Sequence, residues 1–169
     1  MSARRILVAG IGNILVGDDG FGVEVARRIA REPLPPNVMV RDFGICGMDL
    51  VFALLDGFDA AILVDVTQRG EPPGTLYVLD LDNDHASGEE QPPQIAGHEM
   101  DPARVLQLVK WMGGGVTCLR LVGCEPETFG DDDEVVCGLS ESVASAVTPA
   151  VVRVCSLIDA LNESARSHA

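Results

Sequence analysis

Short apolar runs alternate along this chain with segments of helical periodicity, and few folds accept that order. Residues 5–10 (Arg-Ile-Leu-Val-Ala-Gly), 38–42, 60–66, 75–79 and 117–123 read as strands. Between them, Phe21, Val25 and Ile29 recur at four-residue spacing. Leu50, Leu54 and Leu55 share one face of a helix that starts at Met48. Val105, Leu108 and Val109 share a face over 101–112, where Asp101-Pro102 supplies an N-cap and a proline in the first turn. A last helix over 140–162 carries Val143, Val147, Val151, Val154, Ile158 and Leu161. A kink or a break is expected at Pro149, which removes a backbone donor, and a frayed tail from Ser164. The alternation predicts an α/β fold: a three-layer sandwich with a mostly parallel five-stranded twisted sheet and helices on both faces. At 169 residues the chain fits a single domain, with a core over about 5–162.

Charge narrows the partners. Twenty-six acidic against 12 basic residues leave −14. A nucleic-acid binder needs cationic charge to displace counterions, and an anionic membrane surface needs the same, so neither partner is expected. The longest uncharged stretch, residues 6–17, is too short to span a bilayer. Asn13 and Asp18-Asp19 interrupt it as a signal peptide. Five cysteines with no Cys-x-x-Cys read as reduced thiols of a cytoplasmic protein, most of them small core residues. No feature calls for an oligomer, and a monomer is favoured.

In sheets of this kind ligands sit at the carboxyl ends of the strands. After the first strand, Gly10-Ile-Gly12 opens like a dinucleotide fingerprint, but Leu15 stands where its third glycine belongs. Asp18 and Asp19 occupy the helix start, where a pyrophosphate would be repelled. Either acid could cap the helix, which leaves one for other work. Asp65 ends an apolar strand, where a carboxylate is costly unless paired, ligated or capping the turn at Thr67-Gln68. His98 follows Gly97 just before the helix at 101; His85 and His168 are weaker candidates. A structural reading is open for each residue alone. Together Asp19, Asp65 and His98 fall at one edge and form a mixed N/O set able to hold a borderline divalent ion with positions left open.

These residues carry a resemblance. The opening from Ile6 to Val23 (Ile-Leu-Val-Ala-Gly-Ile-Gly-Asn-Ile-Leu-Val-Gly-Asp-Asp-Gly-Phe-Gly-Val) is similar to that of the hydrogenase maturation endopeptidases. Asp42-Phe-Gly-Ile-Cys-Gly-Met48, Ile62-Leu-Val-Asp65, Gly97-His-Glu, Leu121-Val-Gly-Cys-Glu-Pro126 and Gly138-Leu-Ser140 follow in the family's order. The resemblance implies an endopeptidase that removes the C-terminal extension of the [NiFe] hydrogenase large-subunit precursor. It implies that nickel is supplied by the substrate rather than held as a permanent cofactor. It also implies Asp19, Asp65 and His98 as metal ligands and catalytic residues, with a carboxylate, Asp19 or Asp65, as general base. Many members have Glu where Asp19 stands. Their Gly-Gly-Thr-x-Gly loop is here Phe43-Gly44-Ile45-Cys46-Gly47, so Asp42, Gly44, Cys46 and Gly47 are expected to recognise the precursor. Cys46 is either a packed loop thiol or a substrate contact. Two rival readings are a non-catalytic nickel-binding assembly factor and a nucleotide-binding doubly wound domain.

Overall fold

The computed structural model describes residues 4–82, 102–128 and 134–167. Its strands β1 (Ile6–Ile11), β2 (Val38–Gly44), β3 (Ala60–Val66), β4 (Leu76–Asp80) and β5 (Cys118–Cys124) form one sheet in the order β2-β1-β3-β5-β4. The helices are α1 (Phe21–Ile29), α2 (Gly47–Leu55), α3 (Pro102–Trp111) and α4 (Glu141–Ser167), with a short 3-10 turn, Asp18–Gly20, leading into α1. The expected α/β sandwich is present.

Burial explains the layers. Every residue of β1 is buried, and so is β3 up to Asp65, as continuous apolar runs in a parallel sheet require. Ile6, Val8, Ile62 and Val64 face α1 and α4, while Leu7, Ala9, Ala61 and Leu63 face α2 and α3. β2, at the sheet edge, buries far less. Among the described residues β4 is the one antiparallel strand, paired to β5. Residues 67–75 link it to β3, a connection shorter than the dozen or so residues that a parallel crossover needs.

Glycines let α1 sit directly on the sheet. A Cβ at Gly10 would press on Gly22 O and on the Ala26 methyl, and one at Gly22 would overlap the backbone oxygens of Ile11 and Val64. The start of α1 is thereby held at the carboxyl end of β1 and β3.

Three expectations need correction. The break allowed for at Pro149 is absent, and α4 passes through it as one helix. Pro149 is on the exposed side, so water can serve the carbonyl its ring leaves unbonded, while Ala146, Val147 and Ala150 anchor the buried side. The tail does not fray at Ser164: α4 continues to Ser167, and Ser164 Oγ donates to Leu161 O and accepts from Arg4 Nη1. Of the cysteines only Cys124 is buried; Cys118 and Cys155 are half-buried, and Cys46 and Cys137 are exposed. α4 is also long and apolar enough to cross a membrane by length and composition. Its apolar stripe, Val143, Val147, Val154, Ile158 and Leu161, is instead built into the core beside α1.

Candidate active site

The carboxyl edge of the sheet collects the acids. Asp19 lies in the turn before α1, half-buried, and the backbone N–H of Asn13 donates to its Oδ2 at 2.7 Å. Its other oxygen has no hydrogen-bond partner among the described residues. Burial raises the Asp19 pKa above the ordinary aspartate value, and the Asn13 N–H offsets part of that rise. Asp65 is the penultimate residue of β3 and is only 8% exposed. Its Oδ1 accepts the Val66 N–H at 2.8 Å. Gly10 pairs with Val64, so the end of β3 lies level with the loop that leaves β1. β3 also touches the Asp18–Gly20 turn. Asp19 and Asp65 thus rise from neighbouring strand ends. On the α3 side, Asp65 borders a cavity of about 510 Å³ walled by Leu106, Val109, Leu119 and Leu121.

The expected third member, His98, lies outside the described residues. Among the described residues no three His, Cys, Asp or Glu side chains gather as a metal cluster. His85 and His168 are outside them as well.

Asp18 and Asp19 look equivalent in sequence and are not. Neither caps α1, whose N-cap is Gly20 with no side-chain bond. Asp18 is 1% exposed and fully used. Its Oδ2 accepts from Glu127 N (2.9 Å), Thr128 N (3.2 Å) and Ser140 Oγ (3.0 Å), and its Oδ1 from Ser140 N (2.7 Å).

The loop after β2 borders the same edge. Arg27 Nε and Nη2 reach Asp42 Oδ2 at 3.2 and 3.1 Å, and Gly44 N–H donates to Asp42 Oδ1 at 2.9 Å. Gly44 adopts φ +54°, and its carbonyl accepts from Gly12 N at 3.0 Å, joining the loops after β1 and β2. Gly12, Asn13, Arg27, Asp42, Gly44 and Ile45 line a depression of about 160 Å³. Cys46 is exposed at the N-cap of α2, and Gly47 is the first residue of that helix. Cys46 is therefore not a packed thiol.

Sequence reasoning overlooked Glu125. It is 3% exposed, just past β5. Its oxygens accept from Arg69 N (2.9 Å), Gly70 N (3.1 Å) and the Tyr77 hydroxyl (2.6 Å). An acid closing an apolar run before Pro126 is the same signal that marked Asp65. The Tyr77 hydroxyl and backbone N–H groups hold Glu125 below the ordinary glutamate pKa. Burial, then the bond to Glu125 and its charge, push Tyr77 from 10.0 up to about 12. A phenol with a raised folded-state pKa keeps its proton longer than the unfolded chain does, so its contribution is full below pH 10 and is lost as pH rises toward 12. The stability advantage of the wild type over Tyr77→Phe is therefore constant from pH 6 to 9 and shrinks between pH 10 and 12, measured by urea unfolding. An advantage that persists undiminished at pH 12 contradicts the assignment.

Comparison with known proteins bears on this site. The family model described as HycI, hydrogenase maturation protease, matches residues 23–157. The Hydrogenase 2 maturation protease of Escherichia coli K12 is 32% identical over 165 residues, covering 95% of this chain and 92% of the relative. Among solved structures, the hydrogenase maturating endopeptidase HybD from E. coli superposes with a TM-score of 0.73 at 32% identity, covering 95% of this chain and 93% of that one. The [NiFe] hydrogenase maturation protease HycI from Thermococcus kodakarensis gives 0.69 at 25% identity, over 96% and 94%.

Proposed function

The chain belongs to the hydrogenase maturation protease family and is a peptidase, and from that premise we propose that it removes the C-terminal extension of a [NiFe] hydrogenase large-subunit precursor while reading the nickel the precursor already carries. The observation that carries this reading is the pair of neighbouring strand ends that present Asp19 and Asp65, with one Asp19 oxygen bonded and the other unbonded among the described residues. A divalent ion relieves the desolvation that raises the Asp19 pKa.

In this proposal the nickel is part of the substrate. Asp19, Asp65 and His98 bind it through carboxylate oxygens and an imidazole nitrogen, a set suited to a borderline ion with positions left for the precursor. The ion fixes the scissile peptide at the rim and polarises its carbonyl. Water attacks that carbonyl and gives a proton to a carboxylate, Asp19 or Asp65, which passes it to the leaving amine as the C–N bond breaks. Asp42, Gly44, Cys46 and Gly47 flank this rim and meet the precursor. The reaction takes place in the cytoplasm, where five unpaired thiols stay reduced. A non-catalytic assembly role has no support in a family of proteases, and two acids before α1 disfavour a nucleotide phosphate.

Incubation with nickel-loaded and nickel-free precursor, read by mass spectrometry, tests the proposal. The loaded precursor loses its extension and the nickel-free one stays intact. Equal trimming of both would remove the nickel-reading step.

A further inference from the structure

We propose that residues 125–128, where the chain leaves β5, act as a strut that sets the separation of Asp19 and Asp65, with Asp18 and Glu125 as its two positioning residues. This rests on the reading that those two aspartates hold the precursor's metal.

The strut grips both sides. Toward Asp19, the backbone N–H groups of Glu127 and Thr128 donate to the buried Asp18 carboxylate, one residue before Asp19. Ser140 adds its N–H and hydroxyl from the lead into α4. Toward Asp65, the Glu125 carboxylate holds the N–H groups of Arg69 and Gly70 in the turn that follows β3. Thr67 N–H donates to Cys124 O at 2.9 Å, and Gly74 N–H to Glu125 O at 2.8 Å, which pins the same turn from the backbone.

Both carboxylates are more than nine-tenths buried, and all four of their oxygens accept hydrogen bonds. They have little capacity left for an ion and cannot replace Asp19 or Asp65. Their position explains them better. Each joins one ligand-bearing segment to the same short piece of chain, so neither aspartate can drift relative to the other without stranding a buried carboxylate. A two-carboxylate metal site needs that fixed span, and outer partners of this kind are commonly worth 10- to 100-fold in metal affinity or activity.

Four variants test the strut: Ser140→Ala and Tyr77→Phe, which each delete one hydroxyl, and Asp18→Asn and Glu125→Gln, which disturb a whole clasp. Each is assayed at pH 7.5 for kcat and KM on nickel-loaded precursor, for Ni2+ affinity by calorimetry, and for thermal midpoint. The hydroxyl deletions are expected to stay folded and to lower kcat/KM about 3- to 10-fold, and the clasp variants about 10- to 100-fold. Ni2+ affinity falls in parallel. Ser140→Ala and Tyr77→Phe proteins that keep wild-type kcat/KM and Ni2+ affinity overturn the strut, even if the clasp variants fail to fold. Wild-type protein that binds Ni2+ no better than Asp19→Asn fails at the earlier step and overturns the metal reading together with the strut.

Discussion

Gly22→Ala leaves no folded protein at 25 °C. A Cβ there would overlap the carbonyl oxygens of Ile11 and Val64 and stand 2.9 Å from Ile11 N. All three atoms belong to the backbone of central strands, so no rotamer change makes room. α1 must leave the sheet instead, opening the interface that buries Phe21, Val25 and Ile29. Helix propensity alone would make this change favourable by up to about 1 kcal/mol, so the sign of the effect separates the two causes. A loss above about 5 kcal/mol is expected, comparable with the whole stability of an ordinary domain. Gly115→Ala is the control: nothing lies within 4 Å of its added methyl, and a change within about 0.5 kcal/mol is expected. Circular dichroism and urea unfolding of both variants decide the matter. A Gly22→Ala protein with wild-type stability would mean that α1 is not seated on the strands as described.

Asp65→Asn abolishes trimming of nickel-loaded precursor without unfolding the chain. The amide keeps an oxygen for the Val66 N–H but gives up the negative charge that an ion requires. Partners one shell out are worth about 10- to 100-fold, so a loss of about 100-fold or more is expected for a direct ligand. Asp19→Asn behaves alike in activity. Its amide oxygen can still accept from Asn13 N–H, and it removes a charge that burial disfavours. Its melting temperature is accordingly equal to wild type or about 2–4 °C higher. Rates come from mass spectrometry of the precursor and folding from thermal melts. Wild-type cleavage by folded Asp65→Asn would strike Asp65 from the site.

The strands were legible because the central ones are apolar on both faces, which makes 60–66 an unbroken run up to Asp65. β4 was legible as a strand, and the shortness of 67–75 accounts for its direction. Pro149 does not break α4, because the other side of that helix is held by the core. Asp65 stood out as an acid closing an apolar run, and Glu125 showed the same pattern unnoticed. Asp19 could be singled out from the family's pattern, but what occupies Asp18 was not legible. It is decided by donors at Glu127, Thr128 and Ser140, more than a hundred residues along the chain, and no local spacing records them.

A helix that rests backbone to backbone on two strands has nothing soft beneath it. Where Gly10 and Gly22 meet, the neighbours are backbone atoms and the Ala26 methyl, which has no rotamer to change, so the platform cannot yield. Any give at this edge therefore belongs to the loops after β1 and β2 and not to the seat of the helix.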